Sequence, residues 1–164
     1  MKLLAETKNI NQINYSSLLN QTIYDACAKH HKTLFFCWNI RTGIDKNVEL
    51  NRIVDYVNWY GEKILFPKME IEEKLLFSIL SDDNYLVKRA IKEHRRLRRL
   101  FKIGTNPMKN LIYIEEEVDL HIRFEERNIL AEIENVATQK QLKAINDALG
   151  KLPTNADWKD RFWE

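Results

Sequence analysis

The stretch His121–Leu130 reads HIRFEERNIL, and its spacing decides the fold. His121 and Glu125 are four apart, Ile129 follows four later, and Val118 precedes His121 by three. That period puts all four side chains on one stripe of a helix, so a histidine and a carboxylate share the face expected to be apolar. Extended outward, the pattern predicts a helix over about 107–136, with Leu111, Ile114, Val118, Phe124 and Ile129 inward and Pro107 suited to its first turn.

The rest of the chain follows the same period. Helices are expected over about 16–41, with Ile23, Cys27, Leu34 and Trp38 inward and Gly43 as the stop, and over 46–80, with Val57, Tyr60, Ile64, Ile71 and Leu75 inward. Pro67 should kink or break the second of these. A third is expected over 83–103, with Val87, Ala90, Ile91, Leu97 and Phe101 inward behind the capping cluster Ser81–Asn84. A shorter one over 138–149 and an aromatic tail, DWKDRFWE, complete the chain. With only four Gly and three Pro in 164 residues, turns are scarce. Long helices with short loops imply one all-α domain over 1–164, an up-down-up-down four-helix bundle with core helices in about 16–135 and an added C-terminal helix and tail over 138–164.

Composition excludes several classes. No apolar run is long enough to span a membrane, and the first twelve residues lack the hydrophobic region of a secretory signal. Cys27 and Cys37 fall on one predicted helix, too far apart to bridge each other, which fits reduced thiols in a cytoplasmic protein. The net charge is +2, although Lys88–Lys102 is basic and Glu115–Glu126 acidic. Neighbouring helices of opposite sign explain that segregation better than a nucleic-acid partner does. Oligomeric state is open, a homo-oligomer included. Nothing resembles a phosphate-binding loop or a nucleophile elbow, so the residues speak against an enzyme of ordinary acid–base or nucleophilic type.

Polar residues on inward stripes carry the information. His31 falls between Cys27 and Leu34, with His30 as its alternate. Lys68 falls between Ile64 and Ile71, and Glu72 lies four beyond it. His94 sits between Ile91 and Leu97, and His121 and Glu125 complete the set. A lone inward histidine is ordinarily a hydrogen-bonded core residue. Imidazoles and carboxylates converging from facing helices are also how bundles hold iron, zinc or manganese. Glu73 and Glu126, next to the inward glutamates, should face surface lysines and arginines.

The segments HHKTLFFCWNIRTGI, PKMEIEEKLLF, KEHRRLRRLF and HIRFEERNIL together resemble the hemerythrin-like cation-binding domains. That resemblance implies a four-helix bundle around a non-haem di-iron centre, with histidines from all four helices and two bridging glutamates. Carried over by position, it implies His31 (or His30), Glu72, His94, His121 and Glu125 as metal ligands. Where the family has a histidine four before the second-helix glutamate, this chain has Lys68. Such domains serve in oxygen storage, in oxygen or nitric oxide sensing, and in iron–sulfur cluster repair, all of which depend on an intact pair of irons.

A protonated lysine cannot ligate a metal. If Lys68 points inward, its charge replaces one ion, leaving either a single-metal site of His31, His121, Glu72 and Glu125, with His94 left over or hydrogen-bonded to a glutamate, or no metal at all. The single ion would be iron, with zinc or manganese as lesser choices, and a small diatomic molecule is the expected partner. The alternative is a metal-free interaction or ligand-binding module held by a buried Lys68–Glu72–Glu125 network. Two further outcomes stay open: Pro67 turns Lys68 out to solvent, or an unexpected ligand completes a working di-iron enzyme.

Overall fold

The computed structural model describes residues 28–152 and 158–164, and among these every regular element is helical. The expected helix start at Ser16, with Ile23 and Cys27, lies outside the described residues, as does Pro153. Helix α1 covers residues 28–45. Helix α2 is a continuous run over residues 50–79: α-helical Leu50–Tyr60, a π turn Gly61–Leu65, α-helical Phe66–Ile71, a second π turn Glu72–Leu76 and a closing 3₁₀ turn Phe77–Ile79. Helix α3 is Tyr85–Leu100. Helix α4 covers residues 107–136, with a π turn Glu125–Ile129 between Pro107–Phe124 and Leu130–Val136. Helix α5 is Gln139–Leu149. No helix among the described residues is long and apolar enough to cross a membrane.

The starts follow local chemistry. Asn84 Oδ1 accepts from the amide of Leu86 at 2.8 Å, and Asn106 Oδ1 accepts from that of Lys109 at 3.2 Å, with Pro107 next to it. Thr138 and Gln141 form a reciprocal capping box at α5. Gly43 is not a stop. It lies inside α1, where a Cβ would meet Phe162 at 2.7 Å, so its absence seats the C-terminal tail. The turn after α1 is made by Asn47, in the left-handed region at φ 53°.

The π turns explain what lies inward on α2. Tyr56, Tyr60, Ile64, Lys68, Glu72 and Leu76 are all buried, at a constant spacing of four. An ideal α-helix drifts about 40° at each such step, roughly 200° over five steps. A π turn accommodates one extra residue, about 100° of rotation, so two of them cancel the drift. The second one puts Glu72 and Leu76 fully inside, and Ile71 and Leu75 only partly so. Pro67 sits in the first turn of the α-helical piece that follows the first π turn, so it does not break the run.

Two apolar clusters fill the interior. An aliphatic one gathers Leu76, Leu86, Val87, Ala90, Ile129 and Ile133 and is closed by Leu142, Ile145 and Leu149 of α5. An aromatic one gathers Phe36, Tyr56, Tyr60, Phe101 and Phe162 with Ile114 and Val118. Trp158 and Trp163 of the tail pack against it, with their rings 5.6 and 5.0 Å from Tyr56. Along α2, α3 and α4, Lys68, Glu72, His94, His121 and Glu125 fall between the two clusters as a polar layer, while the buried Glu115 lies beside the aromatic cluster and pairs with Arg41.

Candidate metal centre

The spacing of α1 predicts His31 as its inward histidine. His31 is exposed, and the buried histidine of α1 is its neighbour His30, only 1% exposed. The inward face of α1 is His30, Thr33, Phe36, Cys37 and Ile40, while the expected Trp38 is 48% exposed and stacks on Phe35 outside. The cause is the run Leu34–Trp38, apolar at every position, which gives no contrast from which to fix the helix register.

The other positions converge. Lys68, Glu72, His94, His121 and Glu125 are all buried and meet in the polar layer, with Lys68 2% exposed and directed inward. Glu72 and Glu125 each begin a π turn, and each divides its two oxygens between opposite sides.

On the first side the Lys68 ammonium donates to Glu72 Oε1 and to Glu125 Oε2, the latter at 3.4 Å. His30 Nε2 lies 3.2 Å from Glu125 Oε2 and 3.9 Å from Glu72 Oε1, and its Nδ1 reaches Glu126 at 3.3 Å. Burial disfavours the Lys68 ammonium, but the charges of Glu125 and Glu72 outweigh that and raise its pKa. Burial also opposes ionisation of Glu125, and Lys68 and His121 overcome it, holding the carboxyl well below its usual range. Glu72 is likewise lowered: burial and the Glu125 charge push up, Lys68 and His30 pull down further. His30 loses to burial and to the Lys68 charge but gains more from Glu125, Glu126 and Glu72, and rises to about 10.

The second side is different. His94 Nε2 and His121 Nε2 face each other at 3.0 Å. Glu125 Oε1 lies 3.1 Å from His121 Nε2 and 3.6 Å from His94 Nε2, and Glu72 Oε2 lies 3.7 Å from His94 Nε2. Both oxygens are buried; Glu72 Oε2 makes no hydrogen bond, and the one group near enough to donate to Glu125 Oε1 is a protonated His121 Nε2. Each ring is steered from behind. His94 Nδ1 donates to Glu73 at 2.7 Å, and Arg98 donates to the same oxygen at 3.0 Å. His121 Nδ1 donates to Glu93 at 2.8 Å, and Arg89 holds that carboxylate at 2.7 Å. Both rings therefore turn Nε2 inward. The hydrogen bond from His94 is the main cause holding Glu73 down at about 2.

These atoms fit a metal ion. Bonds of about 2.1 Å place neighbouring ligand atoms about 3.0 Å apart in an octahedron and about 3.4 Å in a tetrahedron. His94 Nε2, His121 Nε2 and Glu125 Oε1, separated by 3.0, 3.1 and 3.6 Å, have that spacing, and Glu72 Oε2 lies beside them, 3.7 Å from His94 Nε2. Two imidazoles with a carboxylate are a donor set suited to zinc, iron or manganese. Burial disfavours the imidazolium of His121, but the Glu125 charge and the Glu93 acceptor outweigh it and raise the pKa to about 9. A metal ion bound there takes the place of that proton. A surface cleft of about 380 Å³ between α3 and α4 reaches His121 and Glu93 and gives the layer a route to solvent.

His30, Glu72 and Glu125 also have ligand spacing, but the Lys68 ammonium lies against both carboxylates on that side. Sequence reasoning missed Glu73 and Glu93 as supports for the histidines. Their only signal is position, one residue after Glu72 and one before His94. No family model, curated protein or solved structure matches this chain.

Proposed function

We propose that the chain is a hemerythrin-like metal protein with one ion where that family holds two. On this reading the four long helices form an up-down-up-down bundle with α5 added. His94, His121 and Glu125 hold the ion with Glu72 beside them, and Lys68 stands where the second would be. The observation that carries the proposal is the convergence of His94 Nε2, His121 Nε2 and the buried Glu125 Oε1 at 3.0–3.6 Å, beside a second buried oxygen, Glu72 Oε2, that makes no hydrogen bond. A buried acceptor without a partner is costly, and a nearby cation offsets that cost.

Iron is the ion the resemblance favours, and the donor set serves zinc or manganese as well. A bound ion with an open position would supply a binding point for a small diatomic molecule such as oxygen or nitric oxide. The chain's own contribution is fixed geometry. Glu73 and Glu93 hold the two rings in place, and the clusters on either side keep bulk water out.

Metal analysis of protein purified without chelator tests this directly. One tightly held ion per chain, lost in His121→Ala and kept in Arg95→Ala, is the expected result. Two irons per chain would overturn the one-ion reading. Arg98 is no neutral control, because it holds Glu73 behind His94. A second reading has its own support, since Lys68 and His30 already give each glutamate a cationic partner. In that reading the bundle is a metal-free interaction module, and its stability is the same with and without chelator.

A further inference from the structure

Given the single-metal reading, we infer that the centre selects a divalent ion against a trivalent one and that Lys68 is the residue that sets this preference. The carboxylates around the layer fall into two groups. Glu73 and Glu93 each have an arginine of their own, Arg98 at 3.0 Å and Arg89 at 2.7 Å, so they add no spare negative charge. Glu126 is directed to His30 Nδ1 on the lysine side. Glu72 and Glu125 remain as the two buried anions at the metal position or next to it, and the Lys68 ammonium balances one of them.

One unbalanced negative charge is therefore left for the ion. A divalent ion brings the buried layer to a net charge of about +1 and a trivalent ion to about +2, and buried charge is stabilised only where it is matched. The lysine also acts through the ligands themselves. The oxygens facing the metal belong to the same two carboxylates whose other oxygens meet the ammonium, so Lys68 draws electron density from both carboxylates. Harder, more highly charged ions lose most from that. His30 Nε2, 3.2 Å from Glu125 Oε2, adds its electropositive side to the same face. Iron in this centre is held as ferrous, and its loss of an electron is disfavoured.

The test is a mediated redox titration of iron-loaded wild type and Lys68→Gln, a change that removes the charge and keeps a hydrogen-bond donor. The ratio of ferric to ferrous affinity should rise at least tenfold in the variant, a fall in midpoint potential of about 59 mV or more. An unchanged or higher midpoint, with one iron in both proteins, overturns the inference. A second measurement needs no variant. Manganese-loaded wild type should exchange its ion for zinc and not for gallium(III) supplied as its citrate complex. Stoichiometric exchange for gallium overturns the inference while leaving the single-metal reading standing. A wild type that takes up no divalent ion overturns that reading and this inference with it, and elemental analysis distinguishes the two failures.

Discussion

Glu72 and Glu125 each turn one oxygen toward Lys68 and His30 and the other toward His94 and His121. On the side of Lys68 and His30 the charges are matched by protein groups, and that half of the layer is complete when the chain folds. On the side of His94 and His121, two carboxylate oxygens and two ring nitrogens converge, and the proton that His121 shares with Glu125 is what a metal ion would replace. The same two carboxylates thus serve a structural ion pair and a ligand set. One lysine at a single helix position turns a layer that could take two cations from solution into one that takes a single cation and carries the other in its sequence.

The comparison breaks most completely at the residue both sides share. Glu125→Ala removes the anion that faces Lys68, His30 and His121 together, so the fold should lose about 5 kcal/mol and the centre its metal. Urea unfolding and metal analysis of the same preparation check both losses. Lys68→Met breaks one side only. Without metal, the two buried carboxylates keep only His30 and His121 as cationic partners, and stability should fall by about 3 kcal/mol. Excess zinc should recover part of that loss, because it now meets a site one negative charge richer. If zinc restores nothing, the two sides do not share their charge.

Which parts of this the sequence revealed follows from how each is encoded. The start of α3 at Asn84, Pro107 at α4 and the Thr138 cap of α5 are local devices, readable from a few neighbouring residues. The convergence of Lys68, Glu72, His94, His121 and Glu125 was readable because each sits among apolar neighbours at helical spacing. His30 was not, since a run with no polar position cannot fix a register. The π turns were hidden too. A constant spacing of four is present in the letters, yet it implies a buried stripe only if extra residues absorb the drift, and that depends on packing against other helices. The division of each carboxylate between two sides is a property of side-chain positions that no spacing expresses.

Withdrawing the metal sharpens the contrast between the two halves at a lower cost. For wild type holding its ion at a hundred times the dissociation constant, a chelator should reduce apparent stability by about 2.7 kcal/mol. The fold should survive, because Lys68 remains in place. In Lys68→Met the same treatment should be more damaging, since the layer then lacks both the ammonium and the ion. Thermal unfolding with and without chelator measures the difference. Equal responses in the two proteins would mean that lysine and metal do not substitute for one another electrostatically.

The smallest effect tests whether the supports behind the histidines belong to the metal side alone. Glu93→Gln keeps the shape of the side chain but weakens the acceptor of His121 Nδ1 and the hold of Arg89. Outer partners of this kind typically change metal affinity by about 10–100-fold, so binding should weaken within that range. Glu73→Gln should act alike through His94, whose Nδ1 it accepts at 2.7 Å. Neither residue touches Lys68, so neither change should alter the fraction of stability that survives chelation. Arg95→Ala, on the exposed face of the same helix as His94, should change unfolding by less than about 0.5 kcal/mol and metal affinity not at all. Should Glu93→Gln instead lower stability in chelator as much as in metal, Glu93 is holding α3 to α4 and not holding a ligand. The two sides of the layer would then differ by their charges alone, with no separate machinery behind the histidines.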